Sequence, residues 1–455
     1  MGLSLVILAA GQGTRMRSDL PKVLQPLAGR PLLAHVVDCA KSLKADDICV
    51  VYGHGGEAVK APFEGEPLRW VLQAEQLGTG HAVMQAVPGL PPGNRVLVLF
   101  GDVPLLTPVT LERLIAATGD DDMAVLTVDM DDPTGYGRIV RDGRHVVRIV
   151  EEKDASAAER AIVEINTGVM LCPGDRLKGW LEALGNDNAQ GEYYLTDVIA
   201  MAVGDGVSVH GVKASNQDEV MGINDKKQLA EAERALQARL VDELMAQGVG
   251  FADPARVDIR GTLTCGKDVF IDVNAVFEGD VTLGDGVTIE PNNLIRDSRL
   301  GARTLVHPNC HIEGATTGEA CELGPFARLR PGAELANDVK IGNFVEVKKS
   351  RIADGSKVNH LTYIGDTDIG RNVNVGAGTI TCNYDGANKH RTVIGDGAFI
   401  GSGVNLVAPV EVGKDATIGA GSTITKPAPE GQLTLERSKQ LSLKNWQRPV
   451  KKESK

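Results

Sequence analysis

Aromatic residues are scarce in this sequence: Phe, Trp and Tyr make up 4% of 455 residues, although 42% are hydrophobic. A core of adequate size must then come from Val, Ile, Leu and Ala. That composition is natural to parallel sheets and solenoids and unusual for an antiparallel sandwich. Paired cysteines are also missing. The seven cysteines, at 39, 49, 172, 265, 310, 321 and 382, form an odd set without a CxxC spacing. This excludes a thiolate zinc signature and fits buried thiols in a reducing compartment. Cys310 and His311 are adjacent, but one such pair makes no site. The apolar run Leu3 to Ala10 has no Lys or Arg before it and is too short for a signal or a membrane span. A cytoplasmic protein without a membrane partner is expected. Positive charge is in short supply: 48 Lys+Arg against 60 Asp+Glu leave a net charge of −12, which argues against nucleic acid as a partner.

Two kinds of patterning are present. Up to about Asp225, short aliphatic runs alternate with longer amphipathic stretches. Strands are expected within Leu3–Ala10, at Ile48–Tyr52, at 95–102 and at 123–129, and helices at Pro31–Ser42 and Ala82–Ala86. Such a βαβ series predicts a Rossmann-like, mostly parallel α/β sheet, with ligands outside the carboxyl ends of its strands. After Gly250 the period becomes six. Leu323, Leu329, Leu335, Ile341 and Val347 follow it, as do Ile352, Val358 and Ile364, and Ile394, Ile400, Leu406, Val412, Ile418 and Ile424. A hexad fits neither an α-helix nor a hairpin series; it marks a parallel β-helix with the aliphatic residue inward. The repeats resemble the left-handed hexapeptide class. The period breaks at 379–392, an inserted corner loop able to carry binding chemistry. It stops at Pro427, before a basic tail that is expected to be solvated. Leu229, Leu236, Leu240 and Leu244 share one face of a helix across 225–248 with Gly248 as its stop. The expected division is therefore 1–226, a linker helix 227–247, and 248–455.

The first strand leads into Gly11-Gln12-Gly13-Thr14-Arg15, where backbone N–H groups can approach a phosphate chain beside a fixed charge. It is neither GxxxxGK[ST] nor a full GxGxxG. Lys22 lies close enough in sequence to reach the same anion. Asp102, at the end of the strand 95–102 and preceded by Gly101, is placed to hold Mg²⁺, although a turn or N-cap aspartate is the plainer reading. Gln73 and the Gly78-Thr79-Gly80 turn can read a base edge. Asn224 precedes the linker helix, where N-capping is the plainer reading.

The segments LAAGQGTRM, SDLPKVL, QAEQLGTGHA, YGRIV, EINTGV and EYYLTD, in this order, resemble the sugar-1-phosphate nucleotidyltransferases. With HLTYIGD and NVGAGTITCNYDG in the hexad region, essentially the whole chain is similar to the bacterial family of bifunctional N-acetylglucosamine-1-phosphate uridyltransferases/glucosamine-1-phosphate acetyltransferases. The resemblance implies acetyl transfer from acetyl-CoA to glucosamine 1-phosphate, then uridyl transfer from UTP to N-acetylglucosamine 1-phosphate with release of pyrophosphate. It implies that Leu8, Ala9, Ala10, Gly11, Arg15, Lys22, Gln73, Gly78 and Thr79 embrace UTP. Phe100, Gly101 and Asp102 stand where an aromatic-Gly-Asp segment lines the site, Phe100 replacing a frequent tyrosine. Gly137, Glu151 and Asn166 would hold the acetylated sugar, and Asp102 and Asn224 the Mg²⁺.

Acetyl transfer to an amine needs a base, and His360 in VNHLTYIGD is the candidate. The resemblance assigns the sugar phosphate to Arg330, Lys348, Tyr363 and Asn374, with Lys389 in the inserted loop. It assigns acetyl-CoA to Ala377, Asn383, Tyr384, Ser402, Ala420 and Arg437. A flat prism face is too shallow to enclose pantetheine, so a cleft between chains of a homotrimer is expected, as the resemblance also implies. Two alternatives stay open: a single-activity sugar-nucleotide pyrophosphorylase whose β-helix only oligomerises, and a scaffold with a vestigial nucleotide loop.

Overall fold

The computed structural model describes residues 2–53 and 55–451. The chain divides into two compact units, Met1–Arg239 and Leu240–Lys455.

The first unit is built on nine strands: β1 (Leu3–Ala9), β2 (Asp47–Tyr52), β3 (Arg69–Leu72), β4 (Arg95–Phe100), β5 (Met123–Asp129), β6 (Arg138–Asp142), β7 (His145–Val150), β8 (Glu164–Pro173) and β9 (Val209–Lys213). They form one sheet in the order β3-β2-β1-β4-β8-β5-β9-β7-β6. β3, β2, β1 and β4 are parallel neighbours. β8 is inserted antiparallel between β4 and β5, and only β7 and β8 run against the rest. The longer helices are α1 (Leu32–Ser42), α2 (Thr79–Ala86), α3 (Pro108–Ala116), α4 (Gly174–Glu182), α5 (Asp197–Gly204) and α6 (Lys226–Ala246). Alternation along each strand sends side chains to opposite faces. Leu5, Ile7, Val50, Leu97 and Leu99 pack with Val36 and Val37 of α1 and Leu111 of α3. Val6, Leu8, Val51, Val96 and Val98 pack with Val83 of α2, Leu181 of α4 and Ile199 of α5. Continuous aliphatic strands thus reflect helices on both faces.

The second unit is a parallel β-helix. Ile289, Val306, Leu323, Ile341, Val358, Val375, Ile400 and Ile418 stack in one ladder. Ile295, Ile312, Leu329, Val347 and Ile364 stack in a second, and Leu335, Ile352, Ile369, Ile394 and Val412 in a third. Consecutive hexads therefore belong to consecutive faces, and every third hexad stacks.

The insertion is shorter than its sequence suggests. Ile380–Cys382 is a strand paired with Asn405–Val407, and the fully buried Thr381 stands opposite Leu406 in the second ladder. The excursion is 383–391. A polar residue at the inward position hid this coil from an aliphatic count. Its hydroxyl is satisfied inside, accepting from the Gly365 N–H at 2.8 Å.

Near its end α6 contributes Val241 and Leu244 to the β-helix core, and Gly248, at φ 99°, follows the helix end. All seven cysteines are free; Cys265 and Cys382 are half-buried and the others buried. Among the described residues no helix is long and apolar enough to cross a membrane.

Candidate functional site

In the α/β unit the loop after β1 closes over Lys22. Gly13 has φ 64°, and a Cβ there would lie 2.6 Å from Lys22 Cβ, so the loop cannot close with any larger residue. Lys22 Nζ makes an ion pair with Asp102 and donates to Asn224 Oδ1 at 3.2 Å. The two oxygens arrive separately: Asp102 follows β4, and the Ile223 N–H donates to the Asp102 carbonyl at 2.9 Å, delivering Asn224 alongside. Asp225, not Asn224, caps α6, its carboxylate accepting from the N–H groups of Lys227 and Gln228, both at 2.9 Å. That leaves the Asn224 side chain to the site. Asp102 likewise caps no helix, since Thr107 caps α3.

Lys22 and Asp102 border a cavity of about 490 Å³ that is also lined by Leu8, Ala9, Ala10, Gly11, Gln73, Gly78, Thr79 and Phe100. Gln12, Gln76 and Glu192 also line it; the sequence reading missed them, although Glu192 begins the EYYLTD motif. Gly101, Arg15 and Asn224 are not on its wall, Asn224 meeting the site only through Lys22. Arg15 is exposed on the turn Thr14–Met16. Burial holds the Tyr136 phenol above its ordinary value; Asp102 adds to this and Arg15 opposes it. Two hard oxygens already share one positive charge at Lys22, and Mg²⁺ fits such a pair when phosphate oxygens complete its shell. No group of three or more His, Cys, Asp or Glu among the described residues could hold a metal alone.

Gly137, Glu151 and Asn166 converge beyond the cavity. The Asn166 N–H donates to the Gly137 carbonyl at 2.8 Å, and a Cβ on Gly137 would sit 3.4 Å from both Glu151 oxygens. The β8 register shifts between Asn166 and Met170, and Gly168 within this irregularity admits the Phe100 ring. Thr196 donates to Glu151 at 3.1 Å, and the Leu195 N–H donates to Thr79 Oγ1 at 3.1 Å. The segment 192–197 thus ties the Gly78-Thr79 turn to the sugar-binding candidates.

Burial raises the Glu151 carboxyl above its usual value; Thr196 opposes this, and Asp197 and Asp154 add to it. A raised folded pKa favours the protonated state. The resulting stability is complete below the unfolded value of about 4.3 and is lost as pH rises through the folded value. Glu151→Gln is therefore expected to raise the unfolding midpoint at pH 7, with the gain vanishing towards pH 4. A midpoint equal to wild type from pH 4 to 8 would refute this.

In the β-helix, Asn343, His360, Ala377, Ser402 and Ala420 occupy one column. Asn343 pairs with His360, and the others follow Val375, Ile400 and Ile418 by two residues. His360 is exposed, and its Nδ1 lies 2.8 Å from Asn343 Oδ1. An amide oxygen can only accept, so Nδ1 donates to it, and in the neutral imidazole Nε2 is the nitrogen with the lone pair. Asn343 gave no signal in the sequence; the coil spacing alone brings it there. Below His360 the column is nearly bare of side chains: Gly376-Ala377-Gly378, Gly401-Ser402-Gly403 and Gly419-Ala420-Gly421 lie in successive coils. A Cβ on Gly376 or Gly401 would meet the next coil's backbone at 2.7 or 2.6 Å. Arg437 Cδ lies 3.8 Å from where a Cβ on Gly421 would be. Asn374 is on this same face.

Across the corner at Leu361 lie Arg330, Lys348, Tyr363, Asn383 and Lys389. The neighbouring Lys389 pushes the Lys348 ammonium below its ordinary value; partial burial and Arg330 add to this and Asp366 opposes it. Arg330 donates to Glu346 at 2.8 Å. Asn383, buried, donates to Asp366 at 2.5 Å, and its Nδ2 and the Tyr363 hydroxyl both lie close beside Gly365. It therefore joins the cationic group rather than the bare column. Residues 383–391 form a small hairpin bridged at Tyr384 and Lys389; Tyr384 is exposed and donates to the Gly386 carbonyl at 2.6 Å.

Residues 5–176 match the MobA-like NTP transferase domain, and 391–426 match the bacterial transferase hexapeptide (six repeats). The chain is 60% identical over 450 residues to a bifunctional protein GlmU of Azoarcus sp. (strain BH72), covering 99% of this chain and 100% of that one. It is 57% identical over 449 residues to a bifunctional protein GlmU of Janthinobacterium sp. (strain Marseille), covering 99% of each. A UDP-glucose pyrophosphorylase structure solved with UDP-glucose is 16% identical, with a TM-score of 0.45, over 52% of this chain and 100% of that one.

Proposed function

This chain belongs to the GlmU family of bifunctional proteins, and we propose that its chemistry divides between the two units, 1–226 and 248–455, joined by the helical linker 227–247. The enzyme acetylates glucosamine 1-phosphate and then couples the product to UTP, yielding UDP-N-acetylglucosamine, a precursor of peptidoglycan and lipopolysaccharide.

In the α/β unit a sugar-phosphate oxygen attacks the α-phosphorus in line and pyrophosphate leaves, with no protein nucleophile required. Lys22 and Arg15 neutralise charge growing on the leaving group. Asp102 and Asn224 would hold Mg²⁺, which supplies further neutralisation of phosphate charge when bound. Gln73 with the Gly78-Thr79 turn reads uracil, the Leu8–Gly11 backbone follows the phosphates, and Gly137, Glu151 and Asn166 hold the sugar.

In the β-helix His360 Nε2 takes the ammonium proton, the amine attacks the acetyl-CoA thioester, and the thiol leaves. Arg330, Lys348 and Lys389 hold the phosphate, with Tyr363 and Asn374 on the sugar. Ala377, Ser402 and Ala420 offer a smooth track to the extended pantetheine of acetyl-CoA; Tyr384 and Arg437 complete that set, and Asn383 supports the phosphate group instead. The observation that carries this reading is His360 heading a column stripped of side chains, for which a purely oligomerising β-helix has no use. Incubation with glucosamine 1-phosphate, acetyl-CoA, UTP and Mg²⁺ tests it: thiol and pyrophosphate should both appear. Pyrophosphate formed from supplied N-acetylglucosamine 1-phosphate, with no thiol from glucosamine 1-phosphate, would leave the single-activity alternative. Unpaired, mostly buried thiols suit the cytoplasm.

A homotrimer completes the acetyltransferase cleft. Phe326, Phe344 and Leu361 stand in successive coils at one corner, each with positive φ and each 47–63% exposed. The two rings stack at 5.0 Å. Left-handed corners ordinarily take Gly, Asn or Asp, and Asn274, Asn292 and Asn309 fill the same column above. Bulky apolar groups there support a buried contact between copies. Sedimentation is expected to give three chains per particle, and Phe344→Asp to give monomers with pyrophosphate release intact and acetyl transfer lost. A monomeric wild type with full acetyl transfer would sink the trimer.

A further inference from the structure

Lys22 opens the single short turn Lys22–Leu24, and a turn of that length does not hold itself. Gln25, 2% exposed, closes it. The Gln25 N–H donates to the Lys22 carbonyl at 3.1 Å, and the Gln25 carbonyl accepts from the Leu32 N–H at 3.0 Å. The side chain has three partners of its own. Nε2 donates to the Leu20 carbonyl at 2.8 Å and to Ser18 Oγ at 3.1 Å, and Oε1 accepts from Lys226 Nζ at 2.5 Å. A carbonyl can only accept and an ammonium can only donate, so the two ends of this amide are assigned independently and agree. Lys226 begins α6 just after Asn224, whose N–H donates to Gln228 of the same helix at 2.8 Å. Further along α6, Glu233 accepts from the Ala28 N–H at 2.7 Å. One buried amide thus joins the chain around Lys22 to the helix start beside Asn224, although 202 positions separate Lys22 from Asn224.

We propose that Gln25 is a positioning residue for uridyl transfer: through Lys226, its amide keeps the turn that bears Lys22 set against the segment that bears Asn224. This rests on the reading in which Lys22 neutralises charge on the leaving pyrophosphate. That charge grows only as the bond to the α-phosphorus breaks, so the ammonium must already be in place. A displacement of about 1 Å is enough to be costly. The lysine stem is long and flexible, so its backbone has to be fixed from outside the turn. An apolar side chain at position 25 would leave the Leu20 carbonyl and the Lys226 ammonium without this shared partner, and the turn would be tied by its main chain alone.

The test measures kcat/KM for UTP, with N-acetylglucosamine 1-phosphate and Mg²⁺, on full-length chains, normalised to thiol release by the same chains. Gln25→Leu and Lys226→Met are each made alone and together with Lys22→Met. Alone, Gln25→Leu should lose about tenfold. Lys226→Met, which removes one of the three side-chain bonds, should lose about threefold. On the Lys22→Met background each should cost less than about twofold, because the group they position is gone. Equal losses with and without Lys22 would mean a structural role alone and overturn the inference. Lys226→Met at the wild-type rate would overturn it as well. If Gln25→Leu does not accumulate, Lys226→Met, at the exposed start of α6, carries the same comparison. Lys22→Met at the wild-type rate, or wild type releasing no pyrophosphate from UTP, would instead remove the reading of the site on which the inference rests.

Discussion

Asp102→Ala chains are expected to release thiol from acetyl-CoA at the wild-type rate while pyrophosphate release falls by about 10²–10³-fold or more. Asp102 supplies a carboxylate at the point where Lys22 and Asn224 converge. Its loss removes the carboxylate proposed to hold the divalent cation and the ion-pair partner of Lys22. The largely buried lysine is also left without its carboxylate, which destabilises the α/β unit, so thermal unfolding is followed alongside. Asp102→Asn preserves the shape and is read if the alanine variant does not accumulate. Acetyl transfer falling in parallel in a folded variant would break the assignment of two separate sites.

The reciprocal experiment has the larger range. His360→Ala should slow acetyl transfer by about 10²–10⁴-fold, the usual contribution of a general base. Pyrophosphate release from supplied N-acetylglucosamine 1-phosphate should stay at the wild-type rate. Asn343→Ala should produce a smaller loss, because the ring remains but nothing holds Nε2 as its free nitrogen. If His360→Ala retains acetyl transfer within a few-fold, the base lies elsewhere. If Asn343→Ala matches His360→Ala, Asn343 touches substrate itself.

The sequence alone determined the architecture of each half and singled out the residues proposed to carry its chemistry. Strand alternation and the hexad are local periods, and each commits its stretch to one way of burying aliphatic side chains. The glycine loop, Lys22, Asp102 and His360 were legible because each sits beside a motif with its own spacing. The tertiary structure decided what no local period encodes. β8 lies antiparallel between β4 and β5 although it follows β7 in the chain. Asp225 takes the helix cap and frees Asn224, a choice two adjacent polar residues leave open. Thr381 holds an inward position because Gly365 offers its hydroxyl a partner. Asn343, His360, Ala377, Ser402 and Ala420 line up only because the coils between them have unequal lengths, and Lys389 reaches Lys348 only because its hairpin folds back. Stacking between coils depends on the total length of each turn of the helix, so these meetings are set by the assembled coils rather than by neighbours in the chain.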